Sequence, residues 1–248
     1  MTKRPTPSHT LLATALIALV TVSGCKMSFK EAMQRPLDSV TGMHSAKQKR
    51  LATAAAAAIA AGKEDEALIK YKKLHAKHKW DHDIALNYAQ LLRKAGHASK
   101  AVSVLSPLAD SSDATHLFET EYAACLIADG QFEQGETRLR DILEDNAATD
   151  MHADAYNLYG VSLDARGQHK EAEVMFRKAL DTWPEGGDVT SVMNNLALNL
   201  AHNGQFDESL NMLRKAQVMS PHNKRVAENI EIVGKLRNAI VPKAPASR

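Results

Sequence analysis

Five glycines recur at nearly constant spacing along the chain, and this period constrains the fold more than any other feature. The intervals between them are 34, 34, 37 and 37 residues, and the residues are Gly62, Gly96, Gly130, Gly167 and Gly204. A period of this length accommodates two short helices and a turn. Glycine readily adopts the left-handed conformation that ends a helix, so each glycine predicts the turn inside one helix pair. The chain is therefore predicted to be an all-α array of helix pairs.

Side-chain size repeats with the same period. Small residues lie seven positions before and five positions after each glycine, and mostly larger apolar residues lie nine and twelve positions after it. Small residues let two helices approach closely where they cross, and the larger ones fill the space beside the crossing. The small residues are Ala55, Ala89, Ala123, Gly160 and Ala197 before the glycines, then Ala67, Ala101, Gly135, Ala172 and Ser209 after them; the others are Tyr71, Leu105, Leu139, Phe176 and Leu213, then Leu74, Leu108, Ile142, Ala179 and Ala216.

The segment YNLYGVSLDARGQHKEAEVMFRKALDTWP, residues 156–184, resembles a complete tetratricopeptide repeat. Residues 190–221 match nearly as well and, like the first segment, end at a proline. The resemblance implies a right-handed α-solenoid of about five such helix pairs over residues 48–221, in which the weakest pair is the alanine-rich first one. Residues 222–240 predict one more amphipathic helix, which would cap the last pair.

The N-terminus has the pattern of an exported protein. A basic pair, Lys3 and Arg4, precedes a run of twelve mainly apolar residues, 11–22, which is too short to span a membrane. The sequence Val22-Ser-Gly-Cys25 that follows resembles the lipobox of bacterial lipoproteins. Residues 1–24 are thus interpreted as a signal peptide and Cys25 as the lipidated residue, the alternative being an ordinary signal peptide with a coincidental cysteine. Lysine, rather than aspartate, at position 26 implies the outer membrane by the same resemblance.

The mature chain would have no excess of positive charge. Without Lys3 and Arg4 it retains 29 basic and 29 acidic residues, so phosphate contacts to a nucleic acid are not favoured. Residues 25–47 lack a sustained period and predict a flexible membrane tether, and residues 241–248 predict a disordered tail. A lipid-anchored protein at the periplasmic face of the outer membrane is expected.

Motifs for catalysis are absent from the sequence, which contains no GxSxG, P-loop, HExxH or CxxC. His75, His78 and His82 are the only candidate metal ligands that the spacing indicates, but the neighbouring lysines favour a solvated helix end over a cation site. Cys125, inside a predicted first helix, is interpreted as a core residue, the alternative being an intermolecular disulfide. We therefore expect a protein without catalytic residues, cofactor, metal or small-molecule substrate.

A partner-binding groove can be predicted from the geometry of stacked pairs. The first helix of each pair would line the concave side, and its contact residues would lie opposite the small crossing positions. Their mixed polar and apolar character favours an extended or helical protein segment with apolar anchors; the alternative is binding through the convex face. The predicted groove residues are Leu86, Gln90, Leu117, Thr120, Ile127, Asp154, Asn157, Val161, Asp164, Asn194 and Leu198.

Repeats and lipobox together resemble the TadD lipoproteins of tight-adherence (Flp) pilus assembly systems. The similarity is carried by YGVSLDARGQHKEAEVMFRKAL, by MNNLALNLAHNGQFDESLNMLRKA and by the following KRVAENIEIV, and it covers residues 150–240 well. It implies a pilotin-like role in which the protein binds the outer-membrane secretin or another pilus-assembly subunit. A general periplasmic scaffold of the envelope or cell-wall machinery remains the alternative, and an enzyme with an unrecognised site is a third hypothesis.

Overall fold

The computed structural model of the protein describes residues 46–112 and 114–240. The predicted signal peptide, the lipidated Cys25, nearly all of the tether and the C-terminal tail lie outside this range, and they stay predictions.

Eleven α-helices and no strand are found in the part of the chain that the structure describes, so the all-α prediction is confirmed. Ten of the helices form five consecutive pairs, as expected of an α-solenoid of helix pairs, and the eleventh follows the last pair. Two short 3₁₀ segments, Ser106–Leu108 and Asn146–Met151, follow the second and third pairs. The helices are α1 Ala46–Ala60, α2 Glu64–His75, α3 His82–Lys94, α4 Ala98–Leu105, α5 His116–Ala128, α6 Phe132–Glu144, α7 His152–Ala165, α8 His169–Thr182, α9 Thr190–His202, α10 Phe206–Met219 and α11 Lys224–Ile240.

The five periodic glycines end the first helix of each pair, as predicted. Each has a positive φ between 70° and 80°. In the fourth pair, the backbone N–H of Gln168, just after Gly167, donates to the carbonyl of Leu163 at 2.9 Å. The equivalent bond occurs at the other four turns with nearly the same length. This arrangement satisfies carbonyls that the helix end leaves without a partner and fixes a tight turn.

The small residues lie at the crossings inside the pairs. All ten predicted small positions are buried, and the eight that have side chains are fully enclosed. At Gly160 on α7, a Cβ atom would lie only 2.7 Å from the ring of Phe176 on α8. A glycine at this position therefore allows the ring to pack directly on the helix backbone.

The described residues divide into two compact units, one ending at Leu158 and the other beginning at Tyr159. In the first unit the apolar core is reinforced by a buried ion pair between successive first helices. Arg93 on α3 donates from Nε to Glu121 Oε1 on α5 at 2.7 Å and from Nη2 to Oε2 at 2.9 Å. A second arginine, Arg138 on α6, donates to Glu119 at 2.6 Å and lies over the ring of Tyr122. Both pairs join adjacent helices of the array.

The second unit ends at α11, which packs on the last pair as predicted. Val226 and Val233 on α11 are enclosed in the same apolar cluster as Leu210 and Leu213 on α10. A buried hydrogen bond between two side-chain amides joins α11 to α9: Asn229 donates from Nδ2 to Oδ1 of Asn194 at 2.7 Å. The helix thus covers apolar surface that the last pair would otherwise expose.

Over the described range, each helix is too short or too polar to cross a lipid bilayer.

Candidate functional site

Except for α1, the first helices of the pairs are largely enclosed. In α5 all residues from Thr120 to Ile127 are buried, and in α9 all residues from Leu196 to Ala201 are buried. The second helices instead bury one face and expose the other, as α8 does around Ala172, Phe176 and Ala179. The solvent-facing surface of the helix pairs is therefore formed largely by the second helices.

This burial corrects the expectation that the predicted groove residues line an open surface. Ten of the eleven are buried, and only Leu117 is half-buried. The physical reason is that space beside each first helix is filled by side chains rather than solvent. A contact of these residues with a partner stays a prediction. The buried residues are Leu86, Gln90, Thr120, Ile127, Asp154, Asn157, Val161, Asp164, Asn194 and Leu198.

Three polar members of this set make internal hydrogen bonds. Thr120 donates from Oγ1 to the carbonyl of His116 at 2.7 Å, inside α5. Asn194 accepts from α11, as described above. Asp164 accepts from Asn199 Nδ2 on α9 at 2.7 Å. These three side chains satisfy buried groups of the protein itself, which is a structural role.

Exposed apolar side chains are found mainly on the second helices. Val218 on α10 is 81% exposed and Val174 on α8 is 50% exposed. Ile69 on α2 and Met219 on α10 are also exposed, while Trp80 lies exposed between the first two pairs. The structure thus offers apolar contacts on the second helices, which correspond to the convex face that the sequence analysis gave as the alternative to the groove.

The histidines that the spacing singled out do not come together as a cation site. The ring of His75 lies 5.5 Å from that of Tyr88, and the ring of His82 lies 5.3 Å from that of Phe118. Burial, followed by the charge of Lys79, lowers the pKa of His75 below its usual value. Since each of the three histidines has a buried ring nitrogen without a hydrogen bond, the interpretation as a solvated helix end was wrong for these nitrogens.

Three other side chains do converge, and they lie in the second unit around Asp164 of α7. His169 at the start of α8 places Nδ1 at 2.7 Å from Asp164 Oδ1, and His202 at the end of α9 places Nδ1 at 3.7 Å from Oδ2. The two imidazole rings stack with centroids 4.6 Å apart. One potential ligand atom from each residue lies within 4.8 Å of the others, which holds for no other such group among the described residues.

The environment of this cluster disfavours the protonated form of His202. Burial lowers the pKa of His202 and so does the neighbouring His169, while the carboxylate of Asp164 acts in the opposite direction. Asn199 fixes the carboxylate, since its Nδ2 donates both to Asp164 Oδ1 and to the backbone carbonyl of His169 at 2.9 Å. The cluster thus combines two imidazoles with one carboxylate whose orientation is fixed by a hydrogen bond.

Sequence reasoning assigned Asp164 to the groove and missed both histidines. The positions of the two histidines relative to the periodic glycines could have indicated the cluster. Asp164 and His169 flank Gly167, and His202 lies just before Gly204. Because equivalent turns of successive pairs stack side by side, residues that flank neighbouring turn glycines are expected to meet.

The thiol of Cys125 is fully buried, in agreement with its interpretation as a core residue. Its Sγ lies 3.5 Å from Oε1 of Glu121. Burial, and secondarily the charge of Glu121, raises the pKa of the thiol well above its usual value. A protonated, enclosed thiol is a poor nucleophile and a poor metal ligand.

Two segments of the chain, residues 152–183 and 189–216, match the tetratricopeptide repeat family. They coincide with the pairs α7–α8 and α9–α10. The fourth and fifth helix pairs are therefore similar to tetratricopeptide repeats. No curated protein matches this chain.

Solved structures of other repeat proteins share the fold. A tetratricopeptide repeat protein of Thermus thermophilus is 18% identical, with a TM-score of 0.64 over 76% of this chain and 99% of that one. The Cut9–Hcn1 hetero-tetramer of the APC/C contains a chain that is 16% identical, with a TM-score of 0.63 over 90% of this chain and 42% of that one. A tetratricopeptide repeat protein of Parabacteroides merdae is 16% identical, with a TM-score of 0.52 over 76% and 73% of the two chains.

Proposed function

We propose that this protein is a non-catalytic, lipid-anchored scaffold of the bacterial cell envelope that binds other proteins. The observation that carries the proposal is the repeat array itself, because stacked tetratricopeptide repeats are typical of protein-interaction scaffolds. The lipobox-like sequence that ends at Cys25 supports the anchor and the location. We place the protein at the periplasmic face of the outer membrane.

The partner that we propose is a subunit of a Flp/Tad-type pilus or secretion system, with the outer-membrane secretin as the first candidate. This step rests on the resemblance to the TadD lipoproteins. In a pilotin-like role, the anchor at Cys25 would hold the repeats at the membrane while they bind the subunit and help it assemble. The interaction is non-covalent and needs no cofactor.

The surface that we propose for this contact includes the exposed face of the second helices. Val174 and Val218 present apolar side chains there. In contrast, the buried positions Val161 and Leu198 would have to leave the core before they could touch a partner. An apolar segment of the secretin or of an accessory subunit would be the occupant.

Crosslinking in living cells, followed by affinity capture and mass spectrometry, tests the function. Recovery of a secretin or a pilus-assembly subunit would support the proposal. Recovery of cell-wall enzymes or other envelope proteins alone would contradict it and favour the general periplasmic scaffold.

Two surface variants test where the partner binds. Val174→Asp and Val218→Asp place a charge in the proposed contact without disturbing the core, and each should reduce capture of the subunit. Asn211→Asp adds the same charge to an exposed position of α10 and is the matched control. Undiminished capture by both valine variants would move the contact away from this face.

The anchor has its own test. Cys25→Ala should release the protein from the membrane fraction into the soluble periplasmic fraction. Membrane attachment that persists in this variant would contradict the lipid anchor.

A further inference from the structure

We propose that Asp164, His169 and His202 bind one divalent transition metal ion, with Zn²⁺ as the best fit, between helices α7, α8 and α9. The site lies wholly within the second compact unit. It does not depend on the partner proposed above.

The distances between the ligand atoms suit a single ion. Zinc binds imidazole nitrogen and carboxylate oxygen at about 2.0–2.2 Å, so two ligand atoms on one tetrahedral ion lie about 3.4 Å apart. The separations from the Asp164 oxygens are 2.7 Å to His169 and 3.7 Å to His202, on either side of that value. Both imidazoles direct Nδ1 at the same carboxylate, so small side-chain rotations would place all three groups around one ion.

A second observation is the unpaired nitrogen of His202. The side chain is 8% exposed, and its Nδ1 is buried without a hydrogen bond while it points at the carboxylate of Asp164. A buried polar atom without a partner costs stability. A metal ion at this point would supply the missing partner.

The set of ligands selects the class of metal. Imidazole nitrogen favours Zn²⁺, Ni²⁺ and Cu²⁺, whereas Mg²⁺ and Ca²⁺ prefer a shell of oxygen atoms. Three protein ligands leave coordination positions for water. The bond from Asn199 to Asp164 is the kind of supporting contact that orients a ligating carboxylate.

The alternative is a hydrogen-bonded ion pair between Asp164 and His169, with His202 only stacked on it. This reading explains the 2.7 Å distance but leaves the Nδ1 of His202 without a partner. The two readings differ in one measurable property, the binding of metal at this point.

Titration of the tag-free full chain with Zn²⁺, in competition with a chromophoric chelator, tests the site. We expect one tight equivalent, and with Co²⁺ the visible absorption bands of a low-symmetry, nitrogen-ligated ion. His169→Gln, His202→Gln and Asp164→Asn should each weaken binding at least as much as the loss of a supporting group does, about 10–100-fold. Zn²⁺ should also raise the Tm of the wild type and not that of these variants.

The double variant His75→Gln/His78→Gln is the control and should bind like the wild type. His169 is partly exposed, so His169→Gln carries the test if His202→Gln fails to fold by circular dichroism. Absence of a tight equivalent in the wild type, or unchanged binding by His169→Gln, would overturn the proposal. Loss of binding in the control would move the metal to the other histidine segment and overturn it as well.

Discussion

Arg93 and Glu121 form a two-pronged ion pair inside the protein, with side chains that are 4% and 7% exposed. The pair joins α3 to α5, the first helices of two successive pairs. Its parallel hydrogen bonds fix the relative register of these helices more specifically than apolar contacts alone would.

Removal of one member of this pair should be costly. Arg93→Met leaves the carboxylate of Glu121 buried without its counter-ion, so we expect a loss of about 3–5 kcal/mol in the free energy of unfolding. Urea denaturation measures this loss. The double variant Arg93→Met/Glu121→Leu removes both charges and should recover most of it. A double variant as unstable as the single one would contradict this account.

Gly160→Ala should destabilise the second unit. The new methyl group would meet the ring of Phe176 at 2.7 Å, and overpacking of this kind costs about 1–3 kcal/mol. The control is Gly234→Ala on α11, where a Cβ atom has no neighbour within 4 Å. That change should be neutral or stabilise the helix by about 0.5–1 kcal/mol, since alanine favours helices over glycine. Similar thermal midpoints for the two variants would refute the close contact.

Stability should fall in mildly acidic solution, partly through His202. Its pKa is lowered in the folded state, so the unfolded chain takes up a proton near its usual value of about 6.5 while the folded chain resists. The stabilisation is thus present above this pH and is lost as the pH falls through it towards the folded pKa. His75 acts in the same direction.

The measurement is the urea midpoint at pH 8 and pH 5.5 in the presence of EDTA. His202→Gln should reduce the difference between the two values, and the further change His75→Gln should reduce it again. The exposed His222 provides the control variant, His222→Gln. A wild-type difference that survives both substitutions would contradict the assignment.

Cys125 should not react with thiol reagents until the protein unfolds, because its thiol is buried and its pKa is raised. In the variant Cys25→Ala it is the only cysteine, so a disulfide-exchange reagent reports on it alone. We expect negligible labelling in native buffer and one thiol per chain in urea. Rapid labelling of the native protein would show that α5 is open to solvent.

The hydrogen bond between Asn194 and Asn229 should stabilise the packing of α11 on α9. Asn229→Ala removes the donor and leaves the buried side-chain oxygen of Asn194 without this bond, which costs about 1–3 kcal/mol. Replacement of both residues by leucine should restore part of the loss. Urea denaturation of the single and double variants measures the difference.

The helix pairs were predictable because their signals are local. In every repeat a glycine such as Gly167 ends the first helix, and a small residue such as Gly160 lies where two helices cross. Neither role depends on the rest of the structure. The C-terminal helix was predicted for a similar reason, since Val226 and Val233 follow helical spacing and bury the same face.

The surface of the first helices was not predictable in the same way. In α5 and α9 small and apolar residues occur on all sides, so their periodicity does not mark an exposed face. Whether Thr120 or Leu198 meets solvent depends on how closely the neighbouring helices pack, which is a non-local property. The cluster around Asp164 was not predicted because its members come from three different helices.

The outer face of α11 is polar, with Glu228, Glu231 and Lys235 exposed to solvent. A repeat array can in principle grow by adding identical pairs, because each pair presents the apolar edge that the next one needs. Here α11 occupies that edge and turns charged groups outwards, so a further pair would meet charged groups there rather than an apolar surface. The helix therefore disfavours the stacking of another pair, or of a second molecule, on this end of the array.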